Sequence, residues 1–155
     1  MKGREFPVPN TGGAHVMRVL VLIKANKDSE AGVMPSERSL AEMMRFNEEL
    51  VNAGIMQTGE GLHPSVKAKR IMFDSDSVSV IDGPFAETKE LVAGFWMWKV
   101  RDMDEAVSWA KRIPNPDGLH AEVELRPVFE ADDFGAELTP ELRDLEARLR
   151  ARAEK

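Results

Sequence analysis

The chain of 155 residues is 43% hydrophobic and 31% charged, carries a net charge of −6 and contains no cysteine. That length suits one domain with a core of its own, and the missing thiols exclude disulfides, thiolate metal sites and a cysteine nucleophile and fit a reducing, cytoplasmic setting. No run approaches the ~18 apolar residues of a membrane span, no apolar signal segment opens the chain, and Lys and Arg interspersed with Asp and Glu leave no basic face for nucleic acid.

Residues 1–16 are rich in Gly, Pro and Asn and read as a flexible tail or an appended expression segment. Residues 18–24, Arg-Val-Leu-Val-Leu-Ile-Lys, form a near-continuous aliphatic run of strand length. A polar loop is expected over 26–35. Ser36 then caps a helix carrying Leu40, Met43, Met44, Phe46, Leu50 and Val51, and Gly54 stops it. Residues 55–62 read as a second strand. Residues 66–73 and 78–81 read as a hairpin turning at 74–77.

After the turn Asp82-Gly83-Pro84-Phe85, residues 94–100 make an aromatic-rich strand. Asp102 with Glu105 marks a second helix with its apolar stripe at Met103, Ala106, Val107, Ala110 and Ile113, ended by Pro114. Residues 121–128 alternate, with Val123 and Leu125 against Glu122, Glu124 and Arg126. Thr139-Pro140 opens a last helix carrying Leu142, Leu145 and Leu149. The domain is placed at 17–134, with the last helix and a tail over 135–155.

Without its hairpin the order is βαββαβ, a ferredoxin-like α+β plan in which two helices cover one face of a four-stranded antiparallel sheet. Trp96 and Trp98 alternate with Phe95 and Met97, so both faces of that strand are apolar. The helices cover only one, and a second copy packed sheet to sheet, an isologous homodimer, covers the other. Glu124 and Arg126, joined by Lys24, are expected on this uncovered face together with the tryptophans. The alternative is a plain ion pair at a solvated sheet edge.

Two readings attach to Asp82. Its carboxylate, fixed at a strand end, can serve as a general base, or it can simply brace an Asp-Gly turn. His63, in Gly59-Glu60-Gly61-Leu62-His63-Pro64, is expected close to Asp82 along with Glu60; the alternative is a surface loop histidine. Lys89, in Glu87-Thr88-Lys89-Glu90, can hold an anion or lie in a solvated loop. Pro64 stands where the third glycine of a dinucleotide fingerprint belongs. Asp74 and Asp76 lack the spacing of a calcium loop. There is no zinc spacing and no nucleophile elbow. Neither a metal nor a cofactor is expected.

Residues 82–90, Asp-Gly-Pro-Phe-Ala-Glu-Thr-Lys-Glu, resemble the signature of the DGPF, or YCII-related, domain family. Gly59 to Pro64, Gly94-Phe95-Trp96, Glu122 to Pro127 and the helix around Asp104-Glu105-Ala106 extend the resemblance over roughly residues 17–134. It implies a dimeric α+β barrel built from ferredoxin-like protomers, and a pocket in which a His and an Asp act together. Here the local candidates are His63 and Asp82.

Two functions follow as expectations. One is a cofactor-free acid/base enzyme acting on a small molecule, with Asp82 as base, His63 as its partner, and Lys24, Lys89 or Arg126 holding an anionic or carbonyl group. Its pocket would be lined by Phe46, Met72, Trp96 and Trp98. The other is a small-ligand-binding or regulatory module, with a link to sigma-factor-dependent transcription that the resemblance brings.

Overall fold

The computed structural model describes residues 16–155, so the expected tail lies, except for Val16, outside the described residues. Strand β1 (Met17–Lys24) leads into a short helix α1 (Lys27–Glu30) and a long helix α2 (Glu37–Asn52). Strands β2 (Met56–Gly61), β3 (Lys69–Asp74), β4 (Ser77–Asp82) and β5 (Val92–Val100) follow. Helix α3 (Met103–Ala110), strand β6 (Val123–Pro127) and helix α4 (Pro140–Ala153) complete the chain. The result is a mixed α+β fold. Among the described residues no helix is long and apolar enough to cross a membrane.

Local chemistry sets the helix ends. The Ser36 hydroxyl accepts the Ser39 N–H at 3.1 Å, and Gly54, at φ 72°, takes the left-handed conformation that stops α2. Asp102 accepts the Glu105 N–H at 2.8 Å to start α3. α3 ends at Ala110, four residues before Pro114. The expected polar loop holds α1, because Asn26 and Ser29 cap each other: Asn26 Oδ1 accepts the Ser29 N–H at 2.8 Å and Ser29 Oγ accepts the Asn26 N–H at 2.9 Å. The strand expected from residue 66 begins only at Lys69, since Ser65–Lys67 form a single 3₁₀ turn.

The main sheet has the order β2-β5-β1-β6, and each of its pairings is antiparallel. The hairpin β3–β4 forms a separate two-stranded sheet with Ser75-Asp76 at its turn, and every residue in its strands is exposed. Its base is closed by the Gly83 N–H donating to the Ala68 carbonyl at 2.9 Å.

α2 and α3 cover one face of the main sheet. Phe46 and Leu50 of α2 and Ala106 of α3 bury Val19, Val21, Trp96, Trp98 and Val100. Phe46 meets the two indoles edge-on, at centroid distances of 6.0 and 6.4 Å. This corrects one expectation. Trp96 and Trp98 do not share a face with Glu124 and Arg126; they lie beneath the helices, on the opposite side. The register leaves no choice: Val21 faces Trp96 and Val19 faces Trp98, while Leu22 faces both Phe95 and Glu124.

Trp96 Nε1 donates to Asn47 Oδ1 at 2.9 Å, whereas the fully buried Trp98 Nε1 has no partner among the described residues. Replacing Trp98 by Ala is expected to cost about 3–5 kcal/mol of stability. Trp98→Phe is expected to cost distinctly less, because it removes an unpaired N–H along with the lost volume. Denaturant melts of both variants check this; equal losses would contradict it.

Candidate functional site

The face of the main sheet opposite α2 and α3 is built by the same alternation that makes the core. One row across the strands reads Glu60, Phe95, Leu22, Glu124, and the next reads Thr58, Met97, Leu20, Arg126. The floor is therefore four half-buried apolar side chains, Leu20, Leu22, Phe95 and Met97. Its borders are charged. Lys24 Nζ lies 3.8 Å from Glu124 Oε1, and Arg126 Nε lies 3.7 Å from Glu124 Oε2. The Lys24 side chain is only 16% exposed. At one end Arg18 donates twice to Glu130, at 2.8 and 3.0 Å. That hydrogen-bonded carboxylate raises the Arg18 guanidinium above its ordinary pKa, so it stays charged throughout the physiological range.

The signature turn forms a second cluster. Asp82 Oδ1 accepts from Lys69 Nζ at 2.5 Å, across the base of the hairpin. Both side chains are about two-thirds or more exposed, at 66% and 72%, so the pair adds at most ~1 kcal/mol to stability. Gly83 is held by sterics. A Cβ there would stand 1.7 Å from the Ser65 carbonyl oxygen. The peptide Gly83-Pro84 is cis. The Phe85 N–H donates to Ser65 Oγ at 3.0 Å, and the Arg70 guanidinium sits 3.7 Å from the centre of the Phe85 ring.

Ser65 is the hub of this corner. It is buried, and its hydroxyl donates to Glu30 Oε2 at 2.5 Å while its N–H donates to Glu30 Oε1 at 3.0 Å. α1, the turn after β2 and the signature turn are thus tied through one serine. Sequence reasoning missed Ser65 and Glu30. The Asn26/Ser29 spacing was the available signal for α1; nothing in the sequence marks residue 65.

The expected site residues are therefore distributed over several places. Lys24, Glu124, Arg126 and Glu60 share the open face. Phe46, Trp96 and Trp98 lie in the core beneath the helices, and Met72 sits on the separate hairpin. Lys89 is exposed in the 3₁₀ turn Thr88–Glu90. His63 is exposed, and no hydrogen bond joins it to Asp82, whose carboxylate is on Lys69. The Gly83–Ser65 contact does bring the segments that carry His63 and Asp82 against each other. Among the described residues no group of three or more His, Asp or Glu is placed to hold a metal ion.

The fold and these two clusters define a small α+β protein with one sheet face covered by α2 and α3 and, among the described residues, the other left open. It belongs to the YCII-related domain family, whose model matches residues 17–130. It is also similar, at 30% identity over 92 residues, to an uncharacterised protein of Rhizobium meliloti (strain 1021), an alignment covering 59% of this chain and 74% of that one. α4 lies beyond the family match.

Ser65→Ala is expected to cost about 1–3 kcal/mol, since it leaves Glu30 and the Phe85 N–H each short of a partner. Gly83→Ala is expected to cost more, because backbone rather than a movable side chain blocks the Cβ. Asp82→Asn should shift stability by less than about 1 kcal/mol. Thermal melts of the three variants test this ranking; an Asp82→Asn loss matching that of Gly83→Ala would overturn it.

Proposed function

We propose that this protein is a homodimer that binds a small, partly apolar anion on the open face of its main sheet, with Lys24 and Arg126 holding the negative charge. The observation that carries the reading is Lys24. Its side chain is largely enclosed, yet among the described residues its nearest carboxylate stands at 3.8 Å, beyond hydrogen-bond length. An enclosed amine without a short partner among the described residues, beside an apolar floor, favours an incoming carboxylate or enolate. The strand order β2-β5-β1-β6 is read as ferredoxin-like once the hairpin is set aside. Two such sheets packed face to face form a dimeric α+β barrel. That arrangement removes the half-buried floor from water and makes the anion site an interior one.

A second reading adds cofactor-free acid/base chemistry on the same molecule, with Asp82 as base and His63 as its partner. The contact between Gly83 and Ser65 favours it, because it brings the two segments together. Asp82 would exchange Lys69 for His63 when a ligand arrives. Catalytic hydrogen bonds often tighten only in the complex.

Benzoate and phenylacetate serve as probes in thermal-shift titrations of the wild type, Lys24→Ala and Asp82→Asn. The wild type gains about 2.7 kcal/mol at a hundred times the dissociation constant. Lys24→Ala is expected to lose most of that gain, and equal stabilisation of wild type and Lys24→Ala would sink the anion site. Asp82→Asn is expected to bind normally; a loss of turnover with binding intact would assign it to chemistry. Sedimentation is expected to show at least twice the 17.3 kDa chain mass, and a monomer at micromolar concentration would rule out the barrel.

A further inference from the structure

We propose that α4 pairs antiparallel with α4 of a second copy of this chain, through a leucine seam of its own. Leu142, Leu145 and Leu149 stand 42–52% exposed along one side of α4. With Leu138 just before the helix they line a shallow apolar groove, flanked by Glu146 and Arg150. Their spacing of four, three and four residues is the a/d seam of a coiled coil, and such a seam is completed by another helix. α4 is built to persist as a helix: Thr139 caps it, Pro140 opens it, Arg150 and Arg152 sit in its last turn, and Glu146 pairs with Arg150. It is tied to the preceding segment by Arg143, which donates to Asp132 at 2.8 Å, while the leucines stay about half exposed.

The charges select the partner and its direction. Glu141 and Arg148 lie seven residues apart on the same flank of the seam, each next to a seam leucine. In an antiparallel pair that flank meets its own counterpart. Glu141 of each copy then faces Arg148 of the other, twice by symmetry. In a parallel pair the flank meets the opposite one, which sets Glu141 against Glu146, a like-charge contact. The alignment that uses all four leucines puts Leu142 against Leu145 of the second copy and Leu138 against Leu149. A second copy of this same chain supplies both the apolar seam and the matching charges.

The natural absence of cysteine gives a clean test. Full-length Leu142→Cys and Leu145→Cys chains are mixed and oxidised. The expected product is the mixed cross-linked dimer, in roughly fivefold excess over either homodimer. Glu141→Arg or Arg148→Glu alone is expected to cut its yield by roughly fivefold, and the double exchange to restore it. A dominant Leu142→Cys homodimer, no cross-link, or no recovery in the double exchange overturns the proposal. Repeating the cross-link with Leu22→Glu in both chains, which disrupts the open face, is expected to leave the yield unchanged; its loss would show that α4 does not pair independently. Sedimentation of the Glu141→Arg chain, whose α4 contact is weakened, reports separately on the open-face dimer.

Discussion

Side chains on a β-strand alternate faces, and β5 carries large apolar groups on both. It pairs with β1 on one side and β2 on the other, so its alternation passes to its neighbours through the register. Trp96, Trp98 and Val100 turn inward and require the cover of α2 and α3. Phe95 and Met97 therefore turn outward, and Leu20, Leu22, Glu60, Glu124 and Arg126 are carried with them. Core and open face are two sides of one constraint. A one-residue slip of β5 would send the indoles outward and invert both faces.

The signature turn divides its labour differently. Its glycine is a matter of space, because the Ser65 carbonyl occupies the position where any side chain would begin. Its phenylalanine is fixed by a backbone hydrogen bond and a stacked guanidinium. The aspartate is the least constrained of the group, exposed and held by a solvated lysine. A residue that contributes little to stability at a rigid corner is available for another role. The turn therefore combines a sterically fixed half and an exposed one.

Much of this was legible in the sequence. Ser36, Asp102 and Thr139 announce their helices because capping is a local interaction. Glu124 and Arg126 fall on the open face because residues 121–128 alternate cleanly. The orientation of β5 was not legible: with Trp on one side and Phe and Met on the other, hydrophobicity alone does not rank the faces. The side on which α2 and α3 pack decides it, and that is settled only in the tertiary structure. Nor was Ser65 legible. Its partners Glu30 and Phe85 stand 35 and 20 residues away, and a hub of that kind exists only after three segments have met. Met72 was grouped with the pocket residues although it sits on the hairpin that the strand order sets aside, and that hairpin joins no strand of the main sheet.

That hairpin has a consequence for how the molecule opens. β3 and β4 share no ladder with the main sheet, and all their residues face solvent. Their cross-strand bonds can break without disturbing a core side chain. The amides of β5, bonded on both edges above the buried indoles, can exchange only when the core itself comes apart. The chain thus holds two cooperative units of very different opening free energy, joined where Gly83 meets Ala68 and Ser65. Amide hydrogen exchange would resolve them as a fast class in the hairpin and a slow class in the sheet.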